Sequence, residues 1–368
     1  MKTILLVIVV AFWFAGCEKD KENTPVVTDT KIEFTRSDSL SVARKYLAAT
    51  AAGNKIVFAG GLFAGINNSQ AYSKTVDIYD VVTDKWTVAL LSEARFDLSA
   101  ASAGNKIIFA GGKSAAGYSN TVDIYDIVTN MWTKAQLSVP RTNLAAVGAG
   151  NKIYFAGGET NPGTTGSSKV VDIYDIVNNT WNTALLSEPR FNLCAASAGN
   201  KVIFAGGHNA GTGLTTKTVD ILDVLTNTWT TAELSNSRYQ LSAGVAGNKI
   251  IFAGGVNGSV GVALNTSDIY DVATNIWTTD KLSEGRWGLS SAGGGDKIVF
   301  GGGFNGGPAF KLKTVDIYDV VNNKWTTNQL TEARGGLAAS SAGNKIVFGG
   351  GETMSGYSKT VDIFTLSK

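Results

Sequence analysis

Seven positions in this chain stand one residue after an arginine, and they hold Lys45, Phe96, Thr142, Phe191, Tyr239, Trp287 and Gly335. Four of the seven are aromatic. One residue further on come Asp97, Asn143, Asn192 and Gln240. Flat apolar rings beside amides and a carboxylate suit a sugar: the rings cover its C–H faces and the polar groups meet its hydroxyls. The same rings could equally pack against neighbouring loops, and the residues alone leave both readings open.

Residues for catalysis are scarcer. His208 is the single histidine, and the tetrapeptide GGET occurs twice, placing Glu159 and Glu352 at matching positions. There is no Cys/His cluster and no Asp-rich calcium loop, so neither a metal nor another cofactor is expected. No G-x-S-x-G motif stands in a strand–turn–helix context, and the Asp box of sialidases is absent. With 32 Lys+Arg against 30 Asp+Glu, the net charge of +2 lacks the basic block that nucleic acid would require.

These residues recur within a repeat. The arginines are Arg44, Arg95, Arg141, Arg190, Arg238, Arg286 and Arg334, spaced by 46–51 residues. Sixteen residues after each lies a glycine doublet, at Gly60, Gly111, Gly157, Gly206, Gly254, Gly302 and Gly350. An Asp-Ile-aromatic unit follows (DIL at 220–222, DIF at 362–364, otherwise DIY), then a tryptophan nine residues before the next arginine. Each copy reads as four strands: a small apolar one, a continuous apolar run such as KIIFAGG, and two alternating ones. Gly-Asn and Asp/Asn-rich turns join them on one face. Four-stranded sheets repeated radially make a propeller. The opposite face, carrying the longer and more varied loops, is the candidate binding face.

The doublet, the following aromatic and a tryptophan seven residues on (Tyr79 to Trp86) resemble the kelch motif, over essentially all of residues 32–368. The resemblance implies an all-β, seven-bladed kelch-type β-propeller. Its last blade should be closed by an N-terminal strand: there are seven arginines and seven doublets but only six repeat tryptophans, and KIEFTRSDSL (31–40) lies where a fourth strand is missing, with Phe34 near the absent ring. The tryptophans are expected between blades, and the arginines on backbone carbonyls or on the glutamate two positions earlier. In a seven-membered ring Glu159 and Glu352 fall on opposite sides, too far apart for the roughly 5–9.5 Å of paired glycosidase acids. Some kelch propellers resemble galactose oxidase, whose copper site needs two histidines; a single histidine excludes that chemistry. His208 is expected to be a solvated loop residue.

The N-terminus reads separately. Lys2, the apolar run ILLVIVVAFWF (4–14) and AGC form a leader over 1–16, resembling a bacterial lipobox with Cys17 as the acylated residue. Residues 17–30 then form a polar tether before the propeller at 31–368. Cys194, the other cysteine, fills a slot held elsewhere by Ala or Ser.

The functional expectation is a surface-anchored binding protein of the bacterial cell envelope, at the outer membrane or cell surface. It is expected to act as a monomer that meets the membrane only through its lipid. Its variable face would recognise carbohydrate or a partner protein. One alternative is a sugar-active enzyme resembling kelch-type sialic acid mutarotases, in which a repeat arginine holds a carboxylate and Glu159, Glu352 or His208 moves a proton. A raised carboxyl pKa at the channel mouth would favour it. The other is a structural envelope protein without a small ligand.

Overall fold

The computed structural model describes residues 30–65, 69–161, 166–258, 261–306 and 311–367. Cys17 and the leader lie outside them, as does nearly all of the tether. Among the described residues there is no helix, and each repeat forms one four-stranded antiparallel sheet. In blade 1 the strands Ala48–Ala52, Lys55–Ala59, Thr75–Asp80 and Lys85–Leu90 succeed one another outward. Blades 2 to 6 repeat that order, with inner strands beginning at Ser99, Ala145, Cys194, Ser242 and Ser290.

The seventh sheet is shared by the two ends of the chain. Ala338–Ala342, Lys345–Gly349 and Thr360–Ser367 supply three strands, and Lys31–Ser39 supplies the fourth. Its register sets Phe34 opposite Phe364, with ring centroids 5.7 Å apart. In blade 1 the corresponding pair is Tyr79 and Trp86, 4.9 Å apart. Phe34 therefore stands in the place of the missing tryptophan, and the expected closure is what the molecule does.

The core lies between blades. The second strand of blade 1 is sealed on both faces, with Ile56, Val57, Phe58 and Ala59 inaccessible to solvent. Val57, Val76 and Ile78 pack against Ile107, Phe109 and Tyr125 of blade 2, and Trp132 leans on the same cluster. Blade-to-blade hydrogen bonds add to this packing: the second glycine of each doublet donates to the carbonyl of the next blade's arginine, as Gly61 does to Arg95 at 2.8 Å. The doublet must be glycine there. Gly60 and Gly61 have φ of 69° and 104°, and a Cβ on either would meet a backbone oxygen at 2.6–2.7 Å.

All seven arginines are wholly buried. Each reaches carbonyls of the blade it enters, as Arg141 does to Val170 (2.6 Å) and Phe155 (3.0 Å). The carboxylate that neutralises each one is the Asp of the Asp-Ile-aromatic unit: Asp77, Asp123, Asp172, Asp220, Asp268, Asp316 or Asp362. The expectation of a glutamate partner is thus corrected. Glu93 comes only within 3.9 Å of Arg95 and instead accepts hydrogen bonds from Ser119 and Thr121. The reason is geometric: the third strand aims its Asp inward at the loop entering the blade, whereas the glutamate lies on that loop's outer side, still partly exposed.

Candidate functional site

Tyr46, Asp97, Asn143, Asn192, Gln240, Gly288 and Gly336 each lie two residues after a repeat arginine, on the loop that passes from one blade to the next. All seven are left-handed, with φ between 49° and 63°. That conformation suits Asn, Asp and Gly and explains much of the composition at these positions. Turned this way, the residues bond to one another across blades. The N–H of Asp97 donates to the carbonyl of Tyr46 (3.2 Å), Asn143 to Asp97 (3.1 Å), Asn192 to Asn143 (2.9 Å) and Gln240 to Asn192 (3.0 Å). Gly288 continues to Gln240 (3.2 Å), Gly336 to Gly288 (3.1 Å), and Tyr46 closes the circle on Gly336 (2.9 Å).

The result is a closed ring of backbone hydrogen bonds around the channel mouth. Beneath it sits a collar of leucines, Leu47 to Leu337, each 7% exposed. Ring and collar enclose an open cavity of about 420 Å³, with Trp287 at its edge. That volume falls within the size range of small-molecule sites.

The sequence-derived candidates divide around this mouth. Asp97, Asn143, Asn192 and Gln240 are consecutive members of the ring. Of the four aromatics, Trp287 borders the cavity. Each ring packs on a side chain from a strand 2–3 loop: Phe96 stacks on Tyr72 (5.5 Å), Phe191 and Tyr239 flank His208 (5.3 and 5.7 Å), and Trp287 meets Phe304 (4.5 Å). All four remain half-buried. Each is therefore both a packing element and a partly open surface.

His208 differs from its expectation. It is held between Phe191 and Tyr239, its Nδ1 is buried without a hydrogen-bond partner, and burial lowers its pKa. It is not a solvated loop residue, because its backbone pairs with Phe191 and draws the imidazole inward. Glu352 takes hydrogen bonds from Lys45 (2.7 Å) and Lys311 (3.3 Å). Burial would raise its pKa, but the two ammonium groups hold it below the usual range. Glu159 pairs through its backbone with Thr142, and burial pushes the Tyr118 hydroxyl up to about 12 with the Glu159 carboxylate adding to the rise. Cys194 sits on the inner strand of blade 4, and burial pushes its thiol up to about 12.

Sequence reasoning missed Tyr46, Gly288 and Gly336. They share a column with the four polar residues, but a phenol and two hydrogens do not look like amides. What unites the column is the left-handed backbone, which a tyrosine only rarely adopts. The ring of Tyr46 comes within 2.8 Å of where a Cβ on Gly336 would stand, and Phe304 occupies the space beside Gly288 and Gly335. The glycines thus make room for two rings.

Two family models match the chain. The one described as the KLHDC2/KLHL20/DRC7 Kelch-repeats domain matches residues 98–285, just over half of the 368. The Kelch motif itself matches residues 43–89. The chain belongs to the kelch-repeat family. Among curated proteins none matches closely enough to count.

Within this kelch propeller Asp97 has an unusual carboxyl group. Burial pushes it up to about 7, with Glu159 adding to the rise while Lys45 and Lys113 oppose it. Unfolded, the group should titrate near its ordinary 3.8. Between those values the folded chain binds more protons than the unfolded one, so the contribution of Asp97 to stability falls as pH rises through that window. Asp97→Asn keeps the left-handed preference and removes the titration. The variant is expected to melt higher than the parent at about pH 8, and the gap should shrink toward about pH 4. Thermal melts across that range check it; a gap that does not change with pH would refute the raised pKa.

Proposed function

We propose that this protein is a lipid-anchored, kelch-repeat binding module of the bacterial envelope, whose channel mouth takes a neutral, hydroxyl-rich ligand of the glycan class. One observation carries the reading. The mouth's backbone polar groups are spent on one another, so a ligand meets four adjacent polar side chains, Asp97 to Gln240, with Trp287 on the rim. With Asp97 protonated in a large share of molecules near neutral pH and in most of them below it, that arc carries little charge and can both donate to and accept from hydroxyls. Cys17 would supply the anchor, at the outer membrane or cell surface.

The test is a glycan array probed with the full chain and with an Asn143→Gly/Asn192→Gly/Trp287→Ala variant. Glycine already serves at Gly288 and Gly336, so the ring should survive. Binding by the parent that weakens at least about tenfold in the variant, roughly 1.4 kcal/mol, supports the site. An array on which the parent binds nothing, or on which both bind alike, overturns it.

A partner protein is the second reading, favoured by exposed Leu214, Val262 and Met354 on the short hairpins of the variable face. The sugar-active alternative retains one favourable observation, the raised carboxyl of Asp97. It loses its anion-holding group, because every repeat arginine is buried and committed to an Asp. Polarimetry with each sugar the array identifies would reveal turnover, and turnover that Asp97→Asn abolishes would displace the binding reading.

A further inference from the structure

The face opposite the channel mouth is built from the turns joining strands 1 to 2 and 3 to 4. In blade 1 the second of these is fixed by Asp80, whose Oδ1 accepts from the N–H groups of Val82 (3.0 Å) and Thr83 (2.9 Å). The turn therefore depends on Asp80 and leaves the side chain of Val82 with nothing to pack on; Val82 is 76% exposed. The same vacancy recurs around the ring. Val128, Val177, Leu225 and Val321 occupy the equivalent turn position, exposed from 42% (Val321) to 81% (Leu225). Blade 5 has Ala273 there, but Ile276 three residues on is 57% exposed. Each of the six complete blades thus presents a bare aliphatic side chain at one rim. Charge on this face is largely cancelled within blades, by Lys55–Asp80, Lys106–Asp126, Lys201–Asp223, Lys249–Asp271 and Lys297–Asp319.

The seventh blade has no such turn, because its two outer strands come from opposite ends of the chain. Lys31 pairs with Ser367 at that spot, and the N–H of Thr30 bonds to Asp296 in the strand 1–2 turn of blade 6. The segment that leads back to Cys17 therefore leaves from the same face as the aliphatic rim, at the one place around the ring where the rim has a gap.

We propose that this rim rests on the lipid surface to which Cys17 is attached, with six aliphatic side chains entering the headgroup region and the acyl chains as the seventh point. Singly each contact is weak, and a short tether raises the effective concentration of the rim at the bilayer. The channel mouth then faces away from the membrane, toward solvent. This rests on the lipid-anchor reading above.

The experiment uses the full chain in vesicles of phosphatidylethanolamine and phosphatidylglycerol carrying an acyl-chain quencher. A fluorophore is placed at Leu225→Cys on the rim or at Thr212→Cys on the opposite face; Cys194, its thiol suppressed by burial, should not compete. Quenching several-fold stronger at position 225 than at 212, and lost when Val82, Val128 and Val177 are changed to Asp, is the expected result. Equal quenching at the two sites, or none at either in a chain that mass spectrometry shows to be acylated, overturns this inference alone. If Cys17 proves unmodified, the anchor reading fails, and flotation of the chain with the same vesicles decides the rim. Flotation abolished by the three Asp substitutions would support it, and no flotation would overturn it as well.

Discussion

Removal of residues 31–39 is expected to abolish cooperative unfolding. The segment forms eight register pairs with Thr360–Ser367, and its loss would leave that strand as a bare edge. At a net 0.5–1.5 kcal/mol per hydrogen bond, the ladder alone is worth roughly 4 kcal/mol or more. The strand also ties its blade to both neighbours. Trp86 of blade 1 donates to Asp38 (2.8 Å), Arg36 bonds Asp84 (3.0 Å), and the residue just before the strand, Thr30, reaches Asp296 of blade 6. Set against a typical total of about 5–15 kcal/mol, losing these together should leave no stable ring. Circular dichroism melts and amide exchange of the truncated chain measure this directly. A sharp transition at the parent's temperature would mean that six and three-quarter blades suffice.

Arg141→Met is expected to destabilise the fold by about 3–5 kcal/mol, the cost of breaking one side of a buried ion pair. It strands Asp172 in the interior and removes the donors to Val170 and Phe155. Burial lowers the Arg141 guanidinium to about 10 while Asp172 pulls it upward, so the pair is under real desolvation pressure. The double variant Arg141→Met/Asp172→Leu should therefore recover part of the loss, since no lone charge remains. Chemical denaturation of the three variants checks both statements. If the double variant were weaker than the single by a full additive increment, the penalty would come from lost packing and not from the orphaned carboxylate.

The pairing also shows what the repeat did and did not reveal. Arginine and the Asp of the Asp-Ile-aromatic unit are both present in all seven copies, and that joint constancy was the available signal. The glutamate two positions before the arginine occurs in only four, but it is close in sequence and drew the assignment. Strand periods and mark counts were enough for the blades, the sealed second strands and the shared seventh sheet, because burial on two faces and hairpin chemistry act locally. The ring at the mouth could not be read so directly. Its members are chosen for a backbone angle, and a left-handed φ leaves only a weak trace once Tyr46 or Gln240 stands among the asparagines. The fate of His208 was also hidden, since it depends on two rings from neighbouring blades that sequence spacing does not bring together.

The closed ring of left-handed residues has a consequence for how such a protein can change. Its amides and carbonyls satisfy one another all the way round, so at every position except Gly288 and Gly336, which must leave room for Phe304 and Tyr46, the scaffold asks only that the side chain tolerate one backbone angle. Asn, Asp and Gly meet that demand at little cost, and Gln240 and Tyr46 show that the tolerance is wider. Specificity at the mouth is then a five-letter word written on a frame that does not notice the spelling. One letter can be exchanged without disturbing its neighbours, and a lineage of such chains could try new ligands far faster than it could alter its fold.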